Sequence, residues 1–162
     1  MALEIIIGGV IVALFAYAGR SAAFRNILLA DTLRRLQEDI KKLRNRTIEK
    51  RMNATEALVN LGEAVFSKMQ RLMKEDKNMS LEGAWQKAGG AGEALGEENE
   101  LVSMLFASLE NLGRMEQEKE YERALNDLKA IEEKRRKEGK EKIKLYTALG
   151  ALTGLCAVIF LV

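Results

Sequence analysis

LADTLRRLQEDIKKL, residues 29–43, sets Leu29, Leu33, Leu36, Ile40 and Leu43 at steps of four, three, four and three. Residues three and four apart share one face of an α-helix, so these five leucines and isoleucines form a single apolar seam. The seam is too short for a long coiled coil, and it predicts a helix packed into a bundle. Nothing upstream of it breaks a helix. The 162 residues contain no proline, and Leu, Ala, Glu, Lys and Arg dominate. Proline removes a backbone donor and clashes with the preceding turn, so its absence permits very long helices. The expectation is an all-α fold: a small bundle of about five to six helices.

The two ends are apolar. MALEIIIGGVIVALFAYAG, residues 1–19, is charged only at Glu4 among its side chains, and LYTALGALTGLCAVIFLV, residues 145–162, has no charged side chain. As helices they would rise about 28 Å and about 27 Å, close to the ~30 Å hydrocarbon core of a bilayer. Three readings compete for the first segment. Ala16-Tyr17-Ala18 resembles a signal-peptide cleavage site, but such peptides carry positive charge ahead of the apolar run. A core helix would place Arg20 and Arg25 directly on its end. A transmembrane helix with basic residues on its inner flank fits best. The second segment has the same form, with Lys140, Lys142 and Lys144 before it.

Lys and Arg resist export, so both basic flanks should face the cytosol. Both spans then place residues 20–144 in the cytosol as a helical bundle with basic membrane-proximal stalks, and both termini outside the cell membrane. Within the tail, Gly150 and Gly154 have the G-x-x-x-G spacing that lets helix backbones approach closely in lipid. The face they would meet is Gly8, Gly9 and Ala13 of the first span, or another copy of the chain in a homo-oligomer.

Charge along the chain is uneven although the net value is only +2. Residues 20–51 and 134–144 are basic, and residues 52–133 between them are acidic, with seventeen Asp and Glu against nine Lys and Arg. Asn53 with Glu56 predicts a helix start, and Gly62 an interruption before Val65, Phe66, Met69, Leu72 and Met73. Ser80 is placed to cap a short helix through Ala88 on which Leu81 and Trp85 share a face. GGAGEALGEEN, residues 89–99, lacks the lysine and hydroxyl of a phosphate loop, so it reads as a connector. Residues 97–112 read as the most apolar and most buried helix, with Leu101, Val102, Met104, Leu105, Phe106 and Leu109. After Gly113 the last helix carries Tyr121, Ala124, Leu125, Leu128 and Ile131 on one stripe. From Glu132 to Lys142 it has no large apolar residue, so that stretch reads as a solvated stalk into the tail.

No catalytic, cofactor-binding or metal-ligating set emerges, and the expectation is that the chain is not an enzyme. Histidine, the commonest general base and metal ligand, is absent, and the lone cysteine, Cys156, lies in the apolar tail. Glu97, Glu98 and Glu100 are best read as a solvated acidic face suited to docking a basic partner surface. Nucleic acid is not expected as a partner, because the basic segments lack interleaved aromatics and flank the spans, with the lipid bilayer as their neighbour.

Read in order, the parts resemble the stage III sporulation protein AB family of endospore-forming bacteria. The resemblance rests on LRRLQEDIKKLRN (33–45), TEALVNLGEAV (55–65), SLEGAW (80–85), LFASLENLGRMEQEKEYERALNDL (105–128) and KIKLYTALGALTG (142–154). The sequence departs from the family pattern at RTIEKRMNATEAL (46–58), which has no proline, and in its glycine-rich insert. The resemblance implies a helical domain similar to the cytoplasmic domains of type II secretion and type IV pilus platform proteins. It further implies a place in the channel complex between mother cell and forespore, beside a secretion-type ATPase. Two alternatives remain at this point: a membrane-tethered helical adaptor or sensor unrelated to sporulation, and a secreted helical protein with a cleaved leader.

Overall fold

The computed structural model describes residues 2–62, 65–92 and 95–161, and within 2–23 and 154–161 the surroundings of only some side chains. The described residues form six α-helices and one π-helical turn, with no strand. Helix α1 spans Ala2–Arg44 and passes into the π-helical turn Asn45–Glu49; α2 spans Ala54–Val59, α3 Ser67–Glu75, α4 Leu81–Ala88, α5 Gly96–Asn111 and α6 Arg114–Leu161. The chain divides into two compact units, residues 31–132 and residues 1–30 with 133–162. The unit that holds the core is therefore shorter at both ends than the middle segment 20–144.

In the unit 31–132 the seam behaves as its spacing demands. Leu33, Leu36, Ile40 and Leu43 are fully buried, and Leu29, which precedes the unit, is half-buried. The four buried residues share a core with Leu58, Met69, Leu81, Leu105, Phe106 and Leu128. At its centre Phe66, Trp85 and Phe106 meet in a tilted and edge-on cluster with ring centroids 5.5–6.0 Å apart, the geometry aromatic quadrupoles favour. Trp85 also donates its indole N–H to the Asn99 carbonyl at 3.0 Å, so its one polar atom is satisfied inside the core.

The turns follow from local chemistry. Asn53 caps α2 by accepting the Thr55 N–H at 2.9 Å, and Ser80 caps α4 by accepting the Gly83 N–H at 3.0 Å. Gly62 takes φ +75° between α2 and α3, and Gly89 ends α4 in the left-handed region at φ +79°. The tight α5–α6 connection is closed by Gln117, whose side-chain amide donates to the Leu109 carbonyl at 2.7 Å and to the Leu112 carbonyl at 3.1 Å.

Within this unit the α1 and α6 portions run antiparallel. Gln37 donates to Glu132 at 3.1 Å and Arg44 to Glu118 at 2.7 Å, so the numbers rise on one helix as they fall on the other. The π-helical turn between α1 and α2 was not signalled by the sequence. A wider turn shifts the side chains that follow it. Here Thr47 lies buried, bonded to the Leu43 and Arg44 carbonyls at 3.0 Å, with Tyr121 of α6 alongside. Arg51, just beyond, has φ +57°.

The unit formed by residues 1–30 and 133–162 consists of the two helical ends. No helix among the described residues is long and apolar enough to cross a membrane. The expected spans 1–19 and 145–162 fall in part on residues outside the described ones.

Candidate functional site

The described residues that most resemble an interaction site lie between α5 and α6. Glu97, Glu100, Leu101, Met104 and Leu105 of α5 face Glu120, Arg123, Ala124 and Asp127 of α6 across a groove of about 340 Å³. Leu105 and Ala124 are buried at its base, Leu101 is half-buried, and Met104 is 63 % exposed. Four carboxylates and one guanidinium line the rim. The ion pairs Arg34–Glu38, Lys42–Asp39, Arg44–Glu118, Arg44–Glu122 and Lys137–Glu141 use none of them. The floor between them offers apolar area.

This corrects two expectations. Glu97 and Glu100 are exposed as expected, but Glu98 is fully buried and cannot belong to a docking surface. The helical phase accounts for it: Glu98 is four residues before Val102, seven before Leu105 and eleven before Leu109, all on the buried face of α5. Met104, read as part of the apolar core face, points out instead, seven residues after Glu97 on the groove side. Sequence reasoning found two acids of the groove and missed Glu120 and Asp127, which stand seven residues, two turns, apart on α6.

A second cavity, of about 610 Å³, is lined by Arg51, Asn53, Thr55, Glu110, Arg114 and Gln117 among others. Its carboxylate is already engaged: Glu110 accepts the Leu81 N–H at 2.6 Å and so caps α4 from a neighbouring helix. No group of three or more acids, cysteines or histidines that could hold a metal ion occurs among the described residues.

The remaining expected residues lie on the two long helices. Gly150 is buried and Gly9 and Ala13 are exposed, with nothing within 4 Å of where a Cβ on Gly9 would sit. The surroundings of Gly8, Gly154 and Arg20 lie outside the described residues. Arg25, Lys140, Lys142 and Lys144 are exposed.

The described residues thus form an all-helical bundle with a groove between α5 and α6 that is charged at its rim and apolar at its floor. The family model described as stage III sporulation protein AB matches residues 4–162, essentially the whole chain, and the chain belongs to that family. Comparison with curated proteins and with solved structures gives no match.

Proposed function

We propose that this chain is a non-enzymatic structural component of the stage III sporulation apparatus, anchored in the cell membrane at both ends. Residues 1–19 and 145–162 are its anchors, and the bundle between them faces the mother-cell cytosol as a platform for a secretion-type ATPase. It would work within the channel complex linking mother cell and forespore.

The observation that carries the anchoring is where exposed apolar side chains fall. Among the described residues, Met104 and Met115 are the exposed large hydrophobics of 31–132, while Ile6, Val10, Leu14, Tyr17, Phe24, Leu28, Ile143, Leu145, Leu149, Leu152 and Ile159 belong to the helical ends. On α6, Leu145, Leu149, Leu152, Cys156 and Ile159 repeat at steps of four and three, a continuous outward stripe. Water-facing surfaces rarely carry so large a contiguous apolar patch, whereas a lipid-facing helix requires one. Arg25 follows the segment 1–19, and Lys140, Lys142 and Lys144 precede 145–162, positions at which anionic headgroups favour cations by about 1 kcal/mol each.

Deleting the gene in a spore former tests the reading. The expected result is arrest at stage III, restored by the full chain but not by Leu149→Lys with Leu152→Lys, since each lysine at mid-membrane costs about 2.5–3.5 kcal/mol on insertion scales. Unchanged spore yield would leave an adaptor or sensor unrelated to sporulation.

A further inference from the structure

The groove between α5 and α6 is lined on each wall by one face of a helix. Glu97, Glu100, Leu101 and Met104 stand at steps of three, one and three on α5, and Glu120, Arg123, Ala124 and Asp127 repeat those steps on α6. Two parallel stripes with an apolar floor and charged shoulders are the form of a groove that receives a third helix. From Glu97 to Met104 the α5 wall rises about 10 Å, enough for two turns of such a helix. We infer that the groove is the docking site of an amphipathic helical segment of a partner protein, one that presents a large apolar side chain to Met104 and Leu101 with Lys or Arg on either side. This deepens, and rests on, the reading of the chain as a platform.

The chemistry selects that occupant over others. Four acids against Arg123 favour cations at the rim, while an exposed methionine over Leu101 and Leu105 favours an apolar anchor. An anionic lipid headgroup meets repulsion from Glu97, Glu100, Glu120 and Asp127. A second copy of this chain has basic residues to offer at 20–51 and 134–144, but the exposed large apolar residues there, Phe24, Leu28 and Ile143, lie on the helical ends that the proposal assigns to the membrane.

Photo-crosslinking tests this in the full chain, in growing and in sporulating cells. Met104 is replaced by p-benzoyl-phenylalanine, and in a control chain Met115 is replaced instead. Met104 is solvent-exposed, so the fold tolerates the change. The expected result is a protein adduct at position 104, about tenfold above position 115, whose crosslinked peptide holds a large apolar residue with Lys or Arg within four positions on each side. Glu100→Lys combined with Asp127→Lys should reduce that adduct at least about tenfold, since like charges then face each other. An adduct with lipid, with a second copy, or with a segment lacking basic residues overturns the inference. So does an adduct no stronger than at Met115, or one indifferent to the charge reversals. Because the adduct is read in growing cells as well, a failure here is distinct from a failure of the sporulation reading, which spore yield reports.

Discussion

Thr47 in the π-helical turn and Tyr121 in α6 meet hydroxyl to hydroxyl at 3.2 Å, both buried, and so join the two helices that bound the core-bearing unit. Burial pushes the Tyr121 hydroxyl from 10.0 up to about 12, with the Thr47 contact partly opposing it. An unfolded tyrosine therefore ionises first as pH rises. The stabilisation is complete below pH 10 and is lost between about 10 and about 12, by at most about 3 kcal/mol. Tyr121→Phe should cost about 1 kcal/mol at neutral pH, for the lost hydroxyl contact. It should also be less sensitive than the parent chain to pH between 10 and 12. Urea unfolding followed through Trp85, the only tryptophan and a core residue, measures both. Equal alkaline slopes in the two chains would refute the assignment.

The glycine-rich connector is held by one side chain. Asn99 donates to the Gly92 carbonyl at 2.8 Å and accepts the Ala91 N–H at 3.0 Å, lying directly over Gly90. Gly89 and Gly90 both have positive φ, but a Cβ on Gly90 would collide with the Asn99 amide, whereas one on Gly89 meets nothing within 4 Å. Gly89→Ala should cost about 1 kcal/mol from backbone conformation alone. Gly90→Ala should cost at least about 2 kcal/mol, because the Asn99 bonds are disturbed as well. Equal losses in urea unfolding would mean that Asn99 does not hold the connector.

Glu110 caps α4 across a helix–helix contact, where its carboxylate meets the Leu81 N–H at 2.6 Å while Ser80 serves the Gly83 N–H. A charged acceptor at a helix N-terminus is favoured both as a hydrogen bond and by the helix dipole. Glu110→Ala should destabilise by about 1–2 kcal/mol, and Glu110→Gln by less, since the amide oxygen can still accept. Thermal unfolding of the two variants gives the order directly, and the reverse order would contradict the cap.

Much of the bundle was legible because local and tertiary demands coincide. Leu33, Leu36, Ile40 and Leu43 are buried at the steps their spacing announces. Asn53 and Ser80 cap where polar side chains precede apolar helices, and Gly62 interrupts where a positive φ is needed. Glu98 was readable too, had helical phase been given priority over the run of acids around it. The π-helical turn and the groove were not readable. The first depends on Thr47 reaching Tyr121, seventy-four positions away. The second exists only once α5 and α6 pair, which sets Glu97 and Glu100 opposite Glu120 and Asp127.

The proposed arrangement is a bundle held to one membrane at both ends, with its working surface in the cytosol. Single cysteines placed in a Cys156→Ser background, as Ala2→Cys, Met115→Cys or Val162→Cys, test it with a membrane-impermeant maleimide on intact cells. Met115 is well exposed, so its label reports the side of the membrane and not burial. Labelling is expected at positions 2 and 162 in intact cells, and at position 115 only after the membrane is permeabilised. Labelling at position 115 in intact cells, or none at either end, would contradict it.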